Sequence, residues 1–447
     1  MFKKLYLLLN GHMITLLLIT ACTVTKPGIS ERNFRQMIEN SSVFSRNFTG
    51  VALYDTERDE TVYAYQADKY YTPASNTKIF TLFASLQLLG DHIPALEYKS
   101  IGDSLVFIGT GDPAFLHHDI ASIDTAYDNK VYDLLKNRKE QLFYADRLWK
   151  DEYFGPGWAW SDYSYYYSAE KSVFPMYGNV VRFRFERNLP KPLANPSYFT
   201  AAIQAFPDEE VPYYIFRNQG ENRFVYKSKA DSLAFSIDTP FKTSSPLLVN
   251  LLSDTLKRSV KMYKGNIPKD RITLYSIPTD SLYKRMMQIS DNFIAEQLLL
   301  VCSSVQNDTL SSAWTINYMK ENYLNDLPDE PIWVDGSGLS RYNLQTPRSM
   351  VALLRKVNEI LEDERIKNIF PAGGVSGTIQ DWYGGHPEPY VFAKTGTLSN
   401  KHCLSGFLYT QSGKKLIFSF MHNNYITSSS VLKIEMQKIL QTIYLEY

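Results

Sequence analysis

The pattern of apolar and polar residues near the start of the chain predicts a hairpin and then a buried helix. Alternating apolar positions at 50–54 and 61–65 flank a polar stretch, as in two strands joined by a turn. An apolar run with helical spacing covers 79–89 and is closed by Gly90. Residues 73–78 therefore form a turn that leads directly into a helix.

The same patterns continue along the chain and mix strands with helices. Further strands are predicted at 104–108, 180–185, 390–397, 404–409 and 416–421. Further helices are predicted at 31–45, 246–264, 293–300, 347–361 and 428–445. The buried side of the last helix is predicted to carry Val431, Leu432, Ile434, Met436, Ile439, Leu440 and Ile443. A sheet made from N- and C-terminal strands, with helices on both faces, fits this order and predicts an α/β (α+β) fold.

Ser75 and Lys78, at the start of the predicted helix, are candidates for a catalytic nucleophile and its base. A serine hydroxyl is a weak nucleophile and needs a base within reach. Lys78 follows Ser75 by three residues, one turn up the same helix face. A lysine near the positive end of a helix, in apolar surroundings, loses its proton more easily. Ser-x-x-Lys can therefore supply a nucleophile and its base, although most such matches are only solvated helix caps.

Two later segments turn this weak indication into a strong one. Ser290-Asp291-Asn292 precedes a helical run, and Lys394-Thr395-Gly396 lies in a predicted strand. Ser-x-x-Lys, Ser-x-Asn and Lys-Thr-Gly, in this order, form the motif set of serine enzymes that recognise penicillin. The sequence thus predicts a serine hydrolase.

The spacing of the motifs also predicts the domain organisation. About 210 residues separate Lys78 from Ser290, far more than a loop holds, so a domain is inserted there. We assign 31–97 and 270–447 to the catalytic domain and 98–269 to a mostly β insertion.

The N-terminus predicts export and a lipid anchor. Lys3 and Lys4 precede an apolar stretch, which makes residues 1–21 a secretory signal. Ala21 before Cys22 resembles a bacterial lipobox, in which the cysteine is acylated; ordinary signal-peptidase cleavage nearby is the alternative. Residues 22–30 are a short polar tether. We therefore expect an enzyme anchored by lipid in the bacterial cell envelope, on the periplasmic or other extracytoplasmic side.

Composition and the other candidate motifs narrow the function further. With 44% apolar and 21% charged residues and a formal net charge of zero, the chain is globular and unsuited to nucleic-acid binding. Cys302 and Cys403 lie in apolar patterns and are predicted to be free thiols, a single bridge being the alternative. His117-His118 has no evident third ligand, and we expect a solvated loop there. No metal or cofactor is predicted.

With these motifs, the chain resembles the class C low-molecular-mass penicillin-binding proteins, the D-alanyl-D-alanine carboxypeptidases/endopeptidases. The segments that carry the resemblance also include 155–160, 290–299, 335–341 and 393–397. The resemblance implies the transpeptidase fold shared with serine β-lactamases, peptidoglycan stem peptides as substrates and β-lactams as inhibitors. The insertion is somewhat short for this class, which is expected if a nested third domain is reduced.

The resemblance also implies roles for the motif residues. Ser75 would form the acyl-enzyme, Lys78 would take its proton, and Ser290 would relay that proton to the leaving amine. Asn292 would hold the peptide, and Lys394 and Thr395 would bind the terminal carboxylate. The backbone N–H groups of Ser75 and Thr397 would form the oxyanion hole. Gly396 of the strand motif would also belong to the binding site. By the same resemblance, Asp162, Tyr167 and Arg341 would surround the end of a diaminopimelate side chain. A structural ion pair or loop anchor is the alternative for Asp162 and Arg341.

Other functions use the same motifs or none. A β-lactamase or esterase shares all three motifs, but the large insertion speaks against it. A non-catalytic cell-wall-binding lipoprotein would be expected to carry a damaged motif. The sequence leaves open the balance between carboxypeptidase and endopeptidase activity.

Overall fold

A computed structural model describes residues 31–120, 129–186, 189, 191–206, 215–227 and 234–447. The predicted signal segment, Cys22 and the tether lie outside these residues. The strands are β1 (Phe48–Asp55), β2 (Glu60–Tyr65), β3 (His92–Ile101), β4 (Ser104–Gly109), β5 (Gln141–Tyr144), β6 (Leu148–Trp149), β7 (Val180–Phe185), β8 (Leu193–Asn195), β9 (Ile203–Phe206), β10 (Ile215–Arg217), β11 (Phe224–Lys227), β12 (Phe235–Pro240), β13 (Val260–Met262), β14 (Ile272–Pro278), β15 (Thr309–Leu310), β16 (Val391–Leu398), β17 (Lys401–Tyr409) and β18 (Lys415–Asn423). The helices are α1 (Glu31–Glu39), α2 (Lys78–Leu88), α3 (Lys130–Asn137), α4 (Ser245–Leu256), α5 (Thr279–Gln288), α6 (Asn292–Gln306), α7 (Ser312–Asn322), α8 (Pro347–Ile360), α9 (Asp363–Ile369) and α10 (Ser429–Glu446).

The two ends of the chain meet in one antiparallel sheet of order β16-β17-β18-β1-β2. β1 pairs with β18 along its whole length, so that Val51 lies opposite Phe420. The predicted N-terminal hairpin is β1–β2, and the strands predicted at 404–409 and 416–421 pair as the C-terminal hairpin β17–β18. The sheet therefore has the composition that the sequence predicted.

Both faces of this sheet are covered by helices. Successive residues of β18 point to opposite faces. Ile417 packs in a core with residues of α2, α6 and α8, whereas Phe418 packs in a second core with residues of α1 and α10. The sheet is therefore buried between two helical layers, as predicted, and the edge strand β16 carries the Lys-Thr-Gly segment.

The region between the first two motifs has its own core and its own sheets. A five-stranded sheet of order β13-β5-β4-β3-β14 stands beside two three-stranded sheets, β12-β7-β8 and β10-β11-β9. A third large apolar cluster, which includes Leu105, Phe183 and Leu252, fills this region. β3 runs across the boundary predicted at 97/98, and β14 returns beside it, so the chain enters and leaves through paired strands. The domain boundaries stay a prediction.

Four local predictions differ from the structure. The helix predicted at 31–45 ends at Glu39, and only a short 3₁₀ turn at Phe44–Arg46 follows it. The predicted helix at 246–264 ends at Leu256, because Lys257 adopts a left-handed conformation with φ 49° and a short strand follows. Ile434 is half-exposed rather than buried. The loop of His117 and His118 is partly buried rather than solvated, and the His118 ring packs against Tyr177.

Cys302 and Cys403 are buried free thiols, as predicted. Burial raises the pKa of each thiol to about 12, so both stay protonated and unreactive at neutral pH. Among the described residues, no helix is both long and apolar enough to cross a membrane.

Candidate active site

Ser75 lies in a single 3₁₀ turn, Ala74–Thr77, that runs directly into α2. Ala74 takes a left-handed conformation with φ 49° immediately before the serine. Ser75 is half-buried, while the residues on both sides of it are buried. The turn therefore presents one hydroxyl to solvent on an otherwise fixed backbone.

Lys78 is fully buried and reaches three oxygen atoms. Its Nζ lies 3.0 Å from Ser75 Oγ, 2.7 Å from Asn292 Oδ1 and 2.6 Å from the Ser337 carbonyl oxygen. The orientation of the Asn292 amide is fixed, because its Nδ2 donates to the Tyr167 carbonyl at 3.0 Å. Two of the three oxygens can therefore only accept hydrogen bonds, and only the serine hydroxyl can also donate.

This arrangement is compatible with the neutral form of Lys78, which can act as a base. A neutral amine has two N–H groups and one lone pair. If the two N–H groups donate to Asn292 and Ser337, the lone pair is left facing the Ser75 hydroxyl. Burial lowers the pKa of Lys78 to about 8, against nearby acidic groups that raise it, so a substantial neutral fraction exists near neutral pH.

Ser290 and Lys394 form a second pair on the other side of the site. Lys394 Nζ donates to Ser290 Oγ at 2.9 Å and to the Thr395 carbonyl at 2.8 Å. Ser290 has a left-handed φ of 62°, and Asp291 caps α6 by accepting from Ile294 N at 3.1 Å. The strained residue and the cap together aim the Ser290 hydroxyl at the lysine.

Lys394 differs from Lys78 in having fewer acceptors. Burial, and then the charge of Lys78, lower its pKa well below the usual value for lysine. The Thr395 hydroxyl lies beside it and is bonded to Thr378 Oγ1 at 2.7 Å. An incoming carboxylate would stabilise the ammonium form of Lys394, so this corner suits an anionic ligand.

β16 passes very close to the turn that carries Ser75. A Cβ atom added at Gly396 would collide with the Pro73 carbonyl and would lie 2.8 Å from Asn76 N, so only glycine fits there. The next residue, Thr397, is exposed, and its hydroxyl bonds to His402 Nδ1 at 2.9 Å. The backbones of Ser75 and Thr397 therefore border the same space.

The glycine-rich loop 335–341 closes the floor of the site. Buried Asp335 organises it by accepting from Gly338 N at 2.9 Å, Ser340 N at 2.7 Å and Trp158 Nε1 at 2.9 Å. Gly338, at φ 77°, packs against the Ala74 carbonyl, where a side chain would not fit. The loop thereby brings the Ser337 carbonyl to Lys78.

Two contributors to this floor are not in the set predicted from the sequence. The Ser337 carbonyl accepts from Lys78, and Glu296 accepts from Ser337 N at 2.7 Å. Nothing in the sequence around Ser337 indicates that its backbone would face Lys78. Glu296 does give a signal in the sequence, because it is the one acidic residue of a mostly apolar helix.

The predicted side-chain subsite lies at the rim. Asp162 is half-buried, and Arg341 is exposed on the far end of the glycine-rich loop. Burial and the charge of Asp162 raise the pKa of Tyr167 to about 12, and the Tyr167 ring stacks on Tyr165 at 5.4 Å. Within the described part of the chain, Arg341 has no carboxylate partner, which speaks against the structural ion pair.

The described residues contain no group of three or more His, Cys, Asp or Glu side chains that could hold a metal ion. The centre instead consists of hydroxyl, amine and amide groups: Ser75, Lys78, Ser290, Asn292, Lys394 and Thr395. A nucleophile with its base, a second hydroxyl for proton relay and a cationic corner together can perform acyl transfer.

Comparisons with known proteins point in the same direction. The model of the D-Ala-D-Ala carboxypeptidase 3 (S13) family matches residues 31–443. The D-alanyl-D-alanine carboxypeptidase DacB of Haemophilus influenzae is 22% identical over 440 residues, which cover 88% of this chain and 88% of that protein. The D-alanyl-D-alanine carboxypeptidase of Actinomadura sp. (strain R39) is 25% identical over 437 residues, which cover 84% of this chain and 78% of the relative.

Solved structures show the same fold. Penicillin binding protein 4 (dacB) from Haemophilus influenzae superposes with a TM-score of 0.72 at 20% identity, covering 94% of this chain and 100% of that one. The same protein complexed with a novel β-lactam gives a TM-score of 0.65 at 20% identity over the same shares of the two chains. The predicted penicillin-binding-protein fold is confirmed.

Proposed function

This chain belongs to the D-Ala-D-Ala carboxypeptidase 3 (S13) family and is a serine-type carboxypeptidase, and we propose that it works through an acyl-enzyme on Ser75. The observation that carries the proposal is the set of bonds around Lys78, two to pure acceptors and one to the Ser75 hydroxyl. Neutral Lys78 takes the hydroxyl proton as Ser75 Oγ attacks the carbonyl carbon between two D-alanines. The developing oxyanion is stabilised by the N–H groups of Ser75 and Thr397.

The second pair completes the reaction. Ser290 gives its proton to the amine of the leaving D-alanine. It receives in return the proton that Lys78 took from Ser75, because its hydroxyl can both donate and accept. Lys394 and Thr395 bind the terminal carboxylate of the substrate. Water then attacks the ester on Ser75, with the same groups moving the proton in the opposite sense.

We propose peptidoglycan stem peptides as substrates and β-lactams as inhibitors. Both present a carbonyl to the serine and a carboxylate to Lys394 and Thr395. A bound β-lactam in the H. influenzae relative supports the second part. Asp162, Tyr167 and Arg341 would recognise the far end of a diaminopimelate side chain, since that end carries an amine and a carboxylate.

The place of action follows from the same substrate. We propose that the enzyme acts outside the cytoplasm, on the cell wall, and that a lipid on Cys22 anchors it there. Support for the anchor is the basic and apolar leader that ends in Ala21-Cys22.

The test is incubation of the purified protein with defined muropeptides, followed by mass spectrometry. Loss of one D-alanine from pentapeptide monomers would show carboxypeptidase activity, and conversion of crosslinked dimers to monomers would show endopeptidase activity. Activity on at least one substrate, abolished in Ser75→Ala, is the expected result. No product from either substrate would refute the proposal.

A further inference from the structure

Glu296 is a buried carboxyl in the second turn of α6, between Ala295 and Gln297. Its side chain is 1% exposed, one oxygen accepts from Ser337 N at 2.7 Å, and the other has no hydrogen-bond partner in the described part of the chain. A buried, half-satisfied carboxyl is costly and calls for an explanation beyond packing.

Two short routes lead from α6 to the amine of Lys78. Asn292, one turn before Glu296 on the same helix face, accepts from Lys78 Nζ at 2.7 Å. Glu296 holds the N–H of Ser337, whose carbonyl accepts from the same Nζ at 2.6 Å. Helix α6 therefore contacts Lys78 directly through Asn292 and indirectly through Glu296, which positions the Ser337 backbone.

The charge of Glu296 also acts on Lys78. A nearby carboxylate favours the ammonium form and so opposes the effect of burial. Burial and the neighbouring Asp335 raise the pKa of Glu296 to about 7, so its charge changes near neutral pH.

The other charged groups around this pair come from four segments. They are Asp335 on the glycine-rich loop, Asp291 at the start of α6, Lys171 on the inserted region and Lys394 on β16. Lys171 is held by Asp151 at 2.7 Å. Lys78 helps to lower the pKa of Lys394, whereas Glu296, like Asp335, raises the pKa of Lys78 against the effect of burial.

We infer that Glu296 is a positioning residue, which fixes the Ser337 backbone under Lys78 and whose charge sets the pH at which Lys78 becomes a base. The inference rests on the proposed acyl-enzyme function. Glu296 acts through Ser337 and Lys78 and need not touch the substrate.

The test is the rate of Ser75 acylation by a fluorescent penicillin, measured from pH 5 to pH 10 for wild type and Glu296→Gln. Glutamine keeps an acceptor for Ser337 N but removes the charge. The acid limb of the rate profile should then move to lower pH, by about one pH unit. A control is Glu170→Gln, a buried carboxyl that accepts from Thr243 N at 2.7 Å elsewhere in the chain; its limb should stay in place.

A second variant separates charge from position. Glu296→Asp keeps the charge but shortens the reach, so its plateau rate should fall about tenfold or more while its limb stays near that of wild type. An unmoved limb in Glu296→Gln, or the same shifted limb in both variants, would overturn the inference. Failure of both variants to fold would assign Glu296 to stability alone and overturn it as well. Wild type that is not acylated at all would instead refute the proposed function.

Discussion

The centre and the rim of the site are built in opposite ways. At the centre, Lys78 is fully buried and its amine is surrounded by three oxygen partners from separate segments. At the rim, Asp162 is half-buried and Arg341 is exposed on a loop end. It follows that the groups of the centre are held in place before substrate arrives, whereas the proposed recognition of a substrate side chain would depend on charges that meet their partners only in the complex.

The largest expected effect comes from removing the base at the centre. Lys78→Ala should slow acylation of Ser75 by roughly 10²–10⁴-fold, the usual contribution of a positioned general base. Stopped-flow measurement with a fluorescent penicillin gives the rate. Lys438→Ala, at an exposed lysine on α10, is the control and should keep the wild-type rate. A loss below tenfold in Lys78→Ala would mean that another group deprotonates the serine.

The protonation of Lys78 gives the next largest effect. Burial lowers the pKa of Lys78 to about 8, and only the neutral amine, which predominates above that pH, can accept the serine proton. Acylation should therefore rise with pH and level off above about pH 8, and fall about tenfold for each pH unit below it. A rate that is flat between pH 5 and pH 8 would show that Lys78 is not the base.

The rim should respond more weakly and only to one kind of substrate. Asp162→Ala and Arg341→Ala should each lower kcat/KM on a diaminopimelate peptide by about ten- to a hundredfold, as expected for a lost charge-assisted contact. A minimal D-Ala-D-Ala peptide without that side-chain end should be nearly unaffected, because it reaches only the centre.

Matched controls decide what the rim result means. Arg223→Ala, at an exposed arginine of the inserted region, should leave both substrates unchanged. Equal losses on both substrates in the Asp162 and Arg341 variants would show that these residues support the fold, and the diaminopimelate assignment would then be dropped.

The contacts at the centre were easier to predict from the sequence than those around it, for a physical reason. Ser75 and Lys78 are one helical turn apart, so their contact is local and follows from spacing. The Ser337 carbonyl reaches Lys78 only because buried Asp335 shapes a distant loop, and no pattern in the sequence encodes that approach. Glu296 could have been noticed as an acidic residue in an apolar helix.

The fold shows the same division between local and distant causes. Periodicity predicted the strands of both hairpins, since alternation along a strand is local, and their positions in the chain predicted a sheet shared by the N- and C-terminal strands. It failed for Ile434, which has an apolar side chain but lies outside the face that α10 turns toward the sheet. It also missed the end of α4, which depends on the left-handed conformation of Lys257.

The smallest expected effect on catalysis comes from a residue that belongs to neither region. Cys22→Ser should abolish fatty-acid labelling and release the protein from the membrane, while kcat/KM on soluble peptides stays unchanged. Membrane fractionation and intact mass give the readouts. Unchanged membrane association with unchanged mass would contradict the lipid anchor.

The central claim is that Ser75 is the acylated residue, because the buried centre is built around its hydroxyl. The most direct measurement is to incubate the protein with a fluorescent penicillin, digest it and locate the labelled peptide by mass spectrometry. The account predicts one label, on Ser75, and none in Ser75→Ala. A label on any other residue, or stoichiometric labelling of Ser75→Ala, would contradict it.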